Sequence, residues 1–212
     1  MNNKNLGKIF IGMGLITLIT TLIDYFALVF PSNLSNPQWV FSVTQSISDL
    51  SIMPALAMVF LLTGFFFAKE ASNENLFKNL EKVTGLLSLV FAIGFAGCAL
   101  MYALSAGGVE NSIVESLKTT NNNTKQQLNQ YYELNKAKID AQKYEEYVEK
   151  MDEQMMLKVN QANSSIQKST FKTMLTLLFF SALQLYIFIK IFELLDFIKY
   201  KVFKLKRKSV NQ

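Results

Sequence analysis

The sequence predicts an all-α, four-span transmembrane protein with an extracytoplasmic helical arm, hairpin or coiled-coil-like, between spans 3 and 4. Four apolar blocks, at residues 9–30, 52–68, 83–104 and 171–192, each have the ~17–25 residues that cross a bilayer. A polar stretch at 105–168 separates the last two blocks. Half of the 212 residues are hydrophobic, so the composition agrees with an integral membrane protein.

These blocks divide the chain into three parts. Residues 1–104 hold three transmembrane helices, with an amphipathic outer segment at 36–50. Residues 105–168 form the arm, which is too short to bury a large core of its own. Residues 169–212 hold the fourth span and a basic cytoplasmic tail. The first block is longer than the ~7–15 apolar residues of a signal peptide, so we expect it to be an uncleaved anchor.

Composition argues against several classes of function. The net charge of +5 is concentrated in the tail beside the last span, where anionic lipid explains it, so we expect no nucleic-acid partner. The chain has no His and a single Cys, Cys98, which leaves no Cys/His metal site. Phosphate loops, nucleophile elbows and zinc-protease motifs are missing from the sequence. We therefore expect no cofactor and no enzymatic activity.

The outer segment at 36–50 has the pattern of a short amphipathic helix. Asn36 is a predicted N-cap and Pro37 a first-turn proline. One apolar stripe follows at spacings of three, four and three, formed by Val40, Val43, Ile47 and Leu50. Two interpretations stay open: a helix on the membrane surface with Trp39 near the headgroups, or a helix packed on the other spans.

The distribution of lysine and arginine predicts the orientation. Basic residues lie before the first block, in the loop at 69–82 and in the tail, whereas residues 31–50 contain none. The positive-inside rule then places both termini in the cytoplasm and the arm on the opposite side. The arm then faces a periplasm or an equivalent lumen.

The arm carries an apolar seam. Gly107 and Gly108 are predicted to end the third helix. A new helix is predicted from about Thr124 into the fourth span, because no Gly or Pro follows Gly108. Alternating steps of three and four, typical of a coiled coil, connect Leu134, Ala137, Ala141, Tyr144, Val148, Met151 and Met155. We predict partner binding by five of them: Leu134, Tyr144, Val148, Met151 and Met155.

The length of this helix limits how the arm is arranged. Residues 124–168 would span roughly 65 Å as one helix. The short connection from the third span reaches that far only when nearly fully extended. The arm therefore either folds into a hairpin or lies on the membrane. We favour the hairpin, with Ile113 and Leu117 in the second leg and candidate turns at 119–124 and 135–136.

Asp24 is the one acid well inside an apolar block. An ionisable residue in a membrane helix is a candidate for proton or ion handling. The alternative is a protonated or hydrogen-bonded acid near the interface, because no second buried charge completes a relay. Lys172 lies on the same side of the membrane, where such a lysine usually snorkels.

The outer connection resembles a known family. The residues that carry this resemblance are Pro31, Asn36, Pro37, Trp39, Asp49 and Pro54, with the apolar run that ends at Phe60. They are similar to the HpsJ-like membrane proteins of cyanobacteria over about residues 9–68. That family is associated with hormogonium polysaccharide secretion, and related members with thylakoid organisation. The resemblance implies no catalytic residues.

These observations favour a non-enzymatic role. We expect a membrane scaffold or accessory subunit of a cyanobacterial membrane assembly, which binds a partner through its helical arm and spans. The partners would be membrane lipid and another membrane protein or a second copy of the chain. The alternative is a component of a transport or polysaccharide-secretion system that uses Asp24.

Overall fold

The computed structural model describes residues 3–69, 74–136 and 138–209, and within these ranges every regular element is a helix. The five helices are α1 (Asn3–Val29), α2 (Pro37–Leu50), α3 (Ile52–Lys69), α4 (Glu74–Leu134) and α5 (Ala141–Ser209). Four stretches are long and apolar enough to cross a membrane: Asn5–Val29, Pro37–Ala68, Asn79–Leu134 and Ala141–Glu193. We call them the candidate spans. The predicted all-α class with four membrane-length helices is confirmed.

The start of α2 confirms the predicted cap. The Asn36 side chain accepts hydrogen bonds from the backbone N–H groups of Gln38 (2.9 Å) and Trp39 (3.3 Å). Pro37 occupies the first helical position, where a missing N–H costs nothing. Val40 and Ile47 of the predicted stripe are buried. The helix is therefore packed on its neighbours, which was one of the two open interpretations.

A kink at Ser51 joins α2 to α3, so that the two helices make one candidate span. Pro54 has no N–H to donate to the carbonyl of Leu50, and its ring crowds that carbonyl. The hydroxyl of Ser51 instead donates to the Ser48 carbonyl at 2.6 Å, and its backbone N–H bonds to the same oxygen at 3.2 Å. The Ser48 carbonyl therefore keeps hydrogen-bond donors at the break, which lowers the energetic cost of ending α2 there.

Helices α1 and α3 form a close antiparallel pair. A Cβ atom added at Gly7 would lie 2.8 Å from the Ala68 nitrogen, and one at Gly64 would lie 2.7 Å from the Ile11 nitrogen. One at Gly14 would lie 3.0 Å from a carbonyl oxygen of α3. The two backbones are thus in direct contact, which is how membrane helices gain packing energy where lipid is as apolar as the protein.

Helices α4 and α5 form a second antiparallel pair, and here one prediction was wrong. Helix α4 does not end at Gly107 and Gly108 but continues to Leu134. A Cβ atom added at Gly108 would come within 2.9 Å of the Pro37 ring. This glycine therefore admits the start of α2 against α4, and neither glycine has a positive φ. Its role is close contact between helices, and not helix termination.

Helix α4 ends at Leu134 and α5 begins at Ala141, so the predicted unbroken helix from Thr124 into the fourth span was wrong. Residues 119–124 are helical, and the hydroxyls of Thr120 and Thr124 bond back to carbonyls one turn earlier. Asn135 ends α4, with its side-chain amide donating to the Tyr131 carbonyl at 2.9 Å. Asp140 caps α5 by accepting from the Gln142 N–H at 2.9 Å. The second candidate turn is confirmed.

The two legs of the hairpin stay in one register from the apolar blocks outward. Ser181 donates to the Ala92 carbonyl at 2.8 Å, and Tyr102 and Ser169 share a hydrogen bond of 3.1 Å. Further out, Asn121 donates to Asp152. Residues 105–134 of α4 extend about 45 Å at 1.5 Å per residue. The predicted hairpin arm is therefore present as two paired helical legs.

Candidate functional site

A depression lined mainly by polar side chains lies between the α2–α3 kink and α5. It has a volume of about 580 Å³ and we call it the kink groove. Three of its lining residues are charged: Asp49, Lys168 and Lys172. Most of the others carry hydroxyls: Ser48, Ser51, Ser165, Ser169, Thr173 and Thr176.

The kink groove runs from the base of the arm into the level of the apolar blocks. Ser165 and Lys168 line its arm-side end, and Phe180 lines its inner end. Phe180 lies in the fourth apolar block, next to Ser181, which donates to the Ala92 carbonyl in the middle of the third apolar block. The groove therefore brings polar side chains to a depth where membrane helices usually present apolar ones.

The three charges of the groove are not neutralised in pairs. Among the described residues, neither Lys168 nor Lys172 makes an ion pair, and neither does Asp49. Two ammonium groups and one carboxylate leave the groove with an excess of one positive charge. Such a site attracts anions, because the interior of a membrane contains little water to screen the charge.

The groove was not predicted from the sequence, although the sequence of α5 carries a signal for it. Residues 165, 168, 169, 172, 173 and 176 are all Ser, Thr or Lys at helical spacing. That polar stripe enters the fourth apolar block on one face. The sequence pattern indicated a snorkelling role for Lys172 alone, and Asp49 was considered only among the residues that carry the family resemblance. Only the packing of the kinked span against α5 brings the two residues into one groove.

The structure places Asp24 outside the kink groove, on an exposed face of α1. Its neighbour Tyr25 points inward, with its ring 6.3 Å from Phe91 and 6.4 Å from Phe95 between centroids. Asp24 therefore lies at the depth of the middle of the third apolar block. Thr20, one turn away, is also exposed. The two residues lie on the same outward face of α1, and the Thr20 hydroxyl donates to the Ile16 carbonyl at 2.9 Å.

Part of the seam on the arm packs against α4, the other leg of the hairpin. The Tyr144 ring stacks on Tyr132 with 4.3 Å between centroids. Val148, Met151 and Met155 are half-buried, and the last two share a cleft with Leu117 of α4. Leu134 is 84% exposed at the end of α4. Helix α4 therefore covers only part of this seam.

A polar contact ties the two arm legs together. The Lys125 ammonium lies 2.5 Å from the Asp152 carboxylate, and the Asn121 amide donates to it at 3.1 Å. The hydrogen bond from Lys125 holds the pKa of the Asp152 carboxyl below its ordinary value, and that from Asn121 adds to the effect. The contact is partly exposed, so its contribution to stability is modest.

Two further polar residues are buried in the candidate spans. Gln184 and Ser88 are fully buried, and their side-chain polar atoms have no hydrogen-bond partner among the described residues. No group of three or more His, Cys, Asp or Glu in that part of the chain has the arrangement of a metal site. Trp39 is half-exposed in the first turn of α2.

Together these features define a class: an all-helical protein with four helices able to span a membrane and a long hairpin arm. The chain belongs to the HpsJ-like protein family, whose model matches residues 6–176. The match includes the arm and every residue of the kink groove except Phe180. Searches of curated proteins and of solved structures found no match.

Proposed function

We propose that this protein is a non-enzymatic scaffold or accessory subunit of a cyanobacterial membrane assembly, which binds a partner through its arm and spans. The observation that carries this proposal is the arm. Two helical legs of about 45 Å project beyond the third and fourth apolar blocks. They are held together by the Tyr132–Tyr144 stack and the Lys125–Asp152 contact. A braced, elongated hairpin without a core of its own suits a binding element.

The exposed apolar residues of the arm support this role. Leu134 is 84% exposed, Met156 62% and Tyr147 56%. Val148 and Met155 of the seam are half-buried, so they offer further apolar surface. Removing such surface from water stabilises a complex by ~25 cal/mol per Å². The partner is another membrane protein or a second copy of the chain, bound along the seam at Leu134, Tyr144, Val148, Met151 and Met155.

The experiment is co-purification in mild detergent with Val148→Asp and Met155→Asp combined. Two carboxylates on the seam should release the partner, since an unpaired charge is costly to bury. Gln126→Asp with Gln130→Asp is the matched control, because it adds two carboxylates at exposed arm positions. The proposal expects the first variant to lose the partner and the control to keep it. An unchanged set of co-purifying proteins in the seam variant would contradict it.

The same proposal places the chain in a cell or thylakoid membrane, with both termini cytoplasmic and the arm on the opposite side. The basis is the absence of Lys and Arg from residues 31–50 and their abundance in the tail. Lipid is then a second partner, and the half-exposed Trp39 is positioned near the arm-side ends of the spans, where headgroups lie.

A second candidate is a component of a transport or polysaccharide-secretion system that uses Asp24. The observation that favours it is the exposed side chain of Asp24 at the depth of Phe91. Asp24→Asn tests it, because the amide keeps the shape but cannot carry a proton. Loss of secretion with normal membrane insertion is the expected result for this candidate. Normal secretion in the variant would eliminate it.

A further inference from the structure

The kink groove has the composition of an anion site placed where lipid headgroups are found. Lys168 and Lys172 lie one helical turn apart on α5 and both line the groove. Their ammonium groups are unpaired among the described residues. The carboxylate of Asp49 on the opposite wall lowers the net charge of the groove from two positive charges to one. The groove therefore suits a ligand with a single negative charge.

The hydroxyl groups around the lysines add directional donors. Ser165 lines the arm-side part of the groove and Thr173 lies further in, whereas the Ser169 hydroxyl already shares a hydrogen bond of 3.1 Å with Tyr102. The hydroxyl of Thr176 already donates to the Lys172 carbonyl at 2.9 Å, so it contributes no free proton. Hydroxyl and ammonium donors together are the groups that bind phosphate and sulfonate oxygens.

The inner end of the groove is apolar. Ile52 and Phe180 line it, and Ile52 is 48% exposed. Both residues belong to helices in the candidate spans, at the level where acyl chains run. A soluble anion would leave this apolar end uncovered. An amphiphile covers both ends, since its headgroup meets the lysines while its chain passes Ile52 and Phe180.

We propose that the kink groove is a specific binding site for one anionic lipid, with Lys168 and Lys172 contacting a phosphate or sulfonate headgroup. The groove is formed jointly by the α2–α3 kink and by α5 at the base of the arm. A lipid bound there bridges the kinked span and the arm-bearing helix. This inference is independent of the proposed scaffold role, because it requires no protein partner.

Native mass spectrometry of the delipidated full-length protein in detergent tests it. The probes are phosphatidylglycerol, a sulfonated glycolipid, phosphatidylcholine and inorganic phosphate. We expect one tight site for each anionic lipid, and binding of phosphatidylcholine weaker by about thirtyfold, the effect of two charge contacts. Inorganic phosphate should also bind more weakly than the lipid, because it has no acyl chain to cover the apolar end of the groove. Equal binding of phosphatidylcholine would overturn the proposal. Inorganic phosphate that binds as tightly as the lipid would overturn it too, because the acyl chain would then contribute nothing.

Two opposite variants make the test specific. Lys168→Gln with Lys172→Gln should weaken anionic-lipid binding by about thirtyfold. Asp49→Asn, which removes the opposing carboxylate, should tighten it by about fivefold or more. The control is Lys118→Gln with Lys143→Gln, which removes two exposed charges elsewhere on the arm and should change nothing.

The Asp49 variant keeps the test decisive if the double lysine variant does not fold. Unchanged or weaker anionic-lipid binding by a folded Asp49→Asn protein would contradict the inference. An equal loss of binding in the Lys118 and Lys143 control would also contradict it, because the lysines of the groove would then have no special role.

Discussion

The ring of Phe41 in α2 stacks on the ring of Tyr102 in α4, with 4.3 Å between centroids and an interplanar angle of 18°. The Tyr102 hydroxyl shares a hydrogen bond of 3.1 Å with Ser169 of α5. Tyr102 is fully buried by these contacts. One aromatic pair therefore joins three helices at the base of the arm, and it holds α2 in place as a wall of the kink groove.

Replacing Phe41 by Ala should loosen α2 without unfolding the spans. A stacked aromatic pair contributes about 0.5–1.5 kcal/mol beyond its buried area. We therefore expect faster hydrogen exchange of the α2 backbone amides, measured by mass spectrometry in detergent. Phe26→Ala is the control, because Phe26 is 71% exposed on α1 and should leave α2 unaffected. Equal exchange in the Phe41 variant and the wild type would show that the stack does not hold α2.

The Lys125–Asp152 contact predicts a pH dependence of the arm. The pKa of Asp152 in the folded arm lies below its ordinary value of 3.8, because Lys125 and Asn121 bond its carboxylate. A lowered pKa contributes stability that is fully present above the unfolded value and lost as the pH falls through the folded value. Asp152→Asn should therefore lower the thermal stability of the arm at pH 6, and this difference should shrink below pH 3.8, as measured by circular dichroism.

Glu146→Gln is the control for that titration. Lys150 lowers the pKa of Glu146 as well, but the pair lies within α5 and is fully solvated. Its loss should not open the hairpin. If the two variants destabilise the arm equally, the link between the legs has no special importance.

Gln184 predicts a stabilising substitution. Its side chain is fully buried and neither amide atom has a hydrogen-bond partner among the described residues. An unsatisfied buried polar group costs about 1–3 kcal/mol. Gln184→Met should therefore raise the melting temperature in detergent, whereas Gln167→Met at an exposed position should not. A lower melting temperature for Gln184→Met would show that the amide is bonded in the native protein.

Local signals in the sequence predicted much of this fold. The cap at Asn36 and the turn at Asn135 depend on neighbouring backbone groups, so short-range chemistry is enough to find them. Gly108 was misread because contact with Pro37 is a long-range event that the sequence around it does not encode. The kink groove was missed for the same reason, since Asp49 and Lys172 come together only when the kinked span packs against α5.

Cysteine labelling tests the predicted orientation. In a Cys98→Ser background, Ser35→Cys and Thr124→Cys should react with a membrane-impermeant reagent in intact cells or right-side-out vesicles. Ser209→Cys should react only after the membrane is opened. These expectations follow from the positive-inside rule and the charge-free segment at 31–50. Labelling of the tail alone would reverse the orientation.

The most direct test of partner binding is photo-crosslinking from single positions of the arm in the native membrane. A photoreactive amino acid at Leu134 or Met151 samples the seam without adding charge, and one at Lys143 or Glu145 samples the exposed polar face. The account predicts a discrete crosslinked species, to another membrane protein or a second copy, from the two seam positions and none from the polar face. Absence of a crosslink from both seam positions, or equal crosslinking from all four, would contradict it.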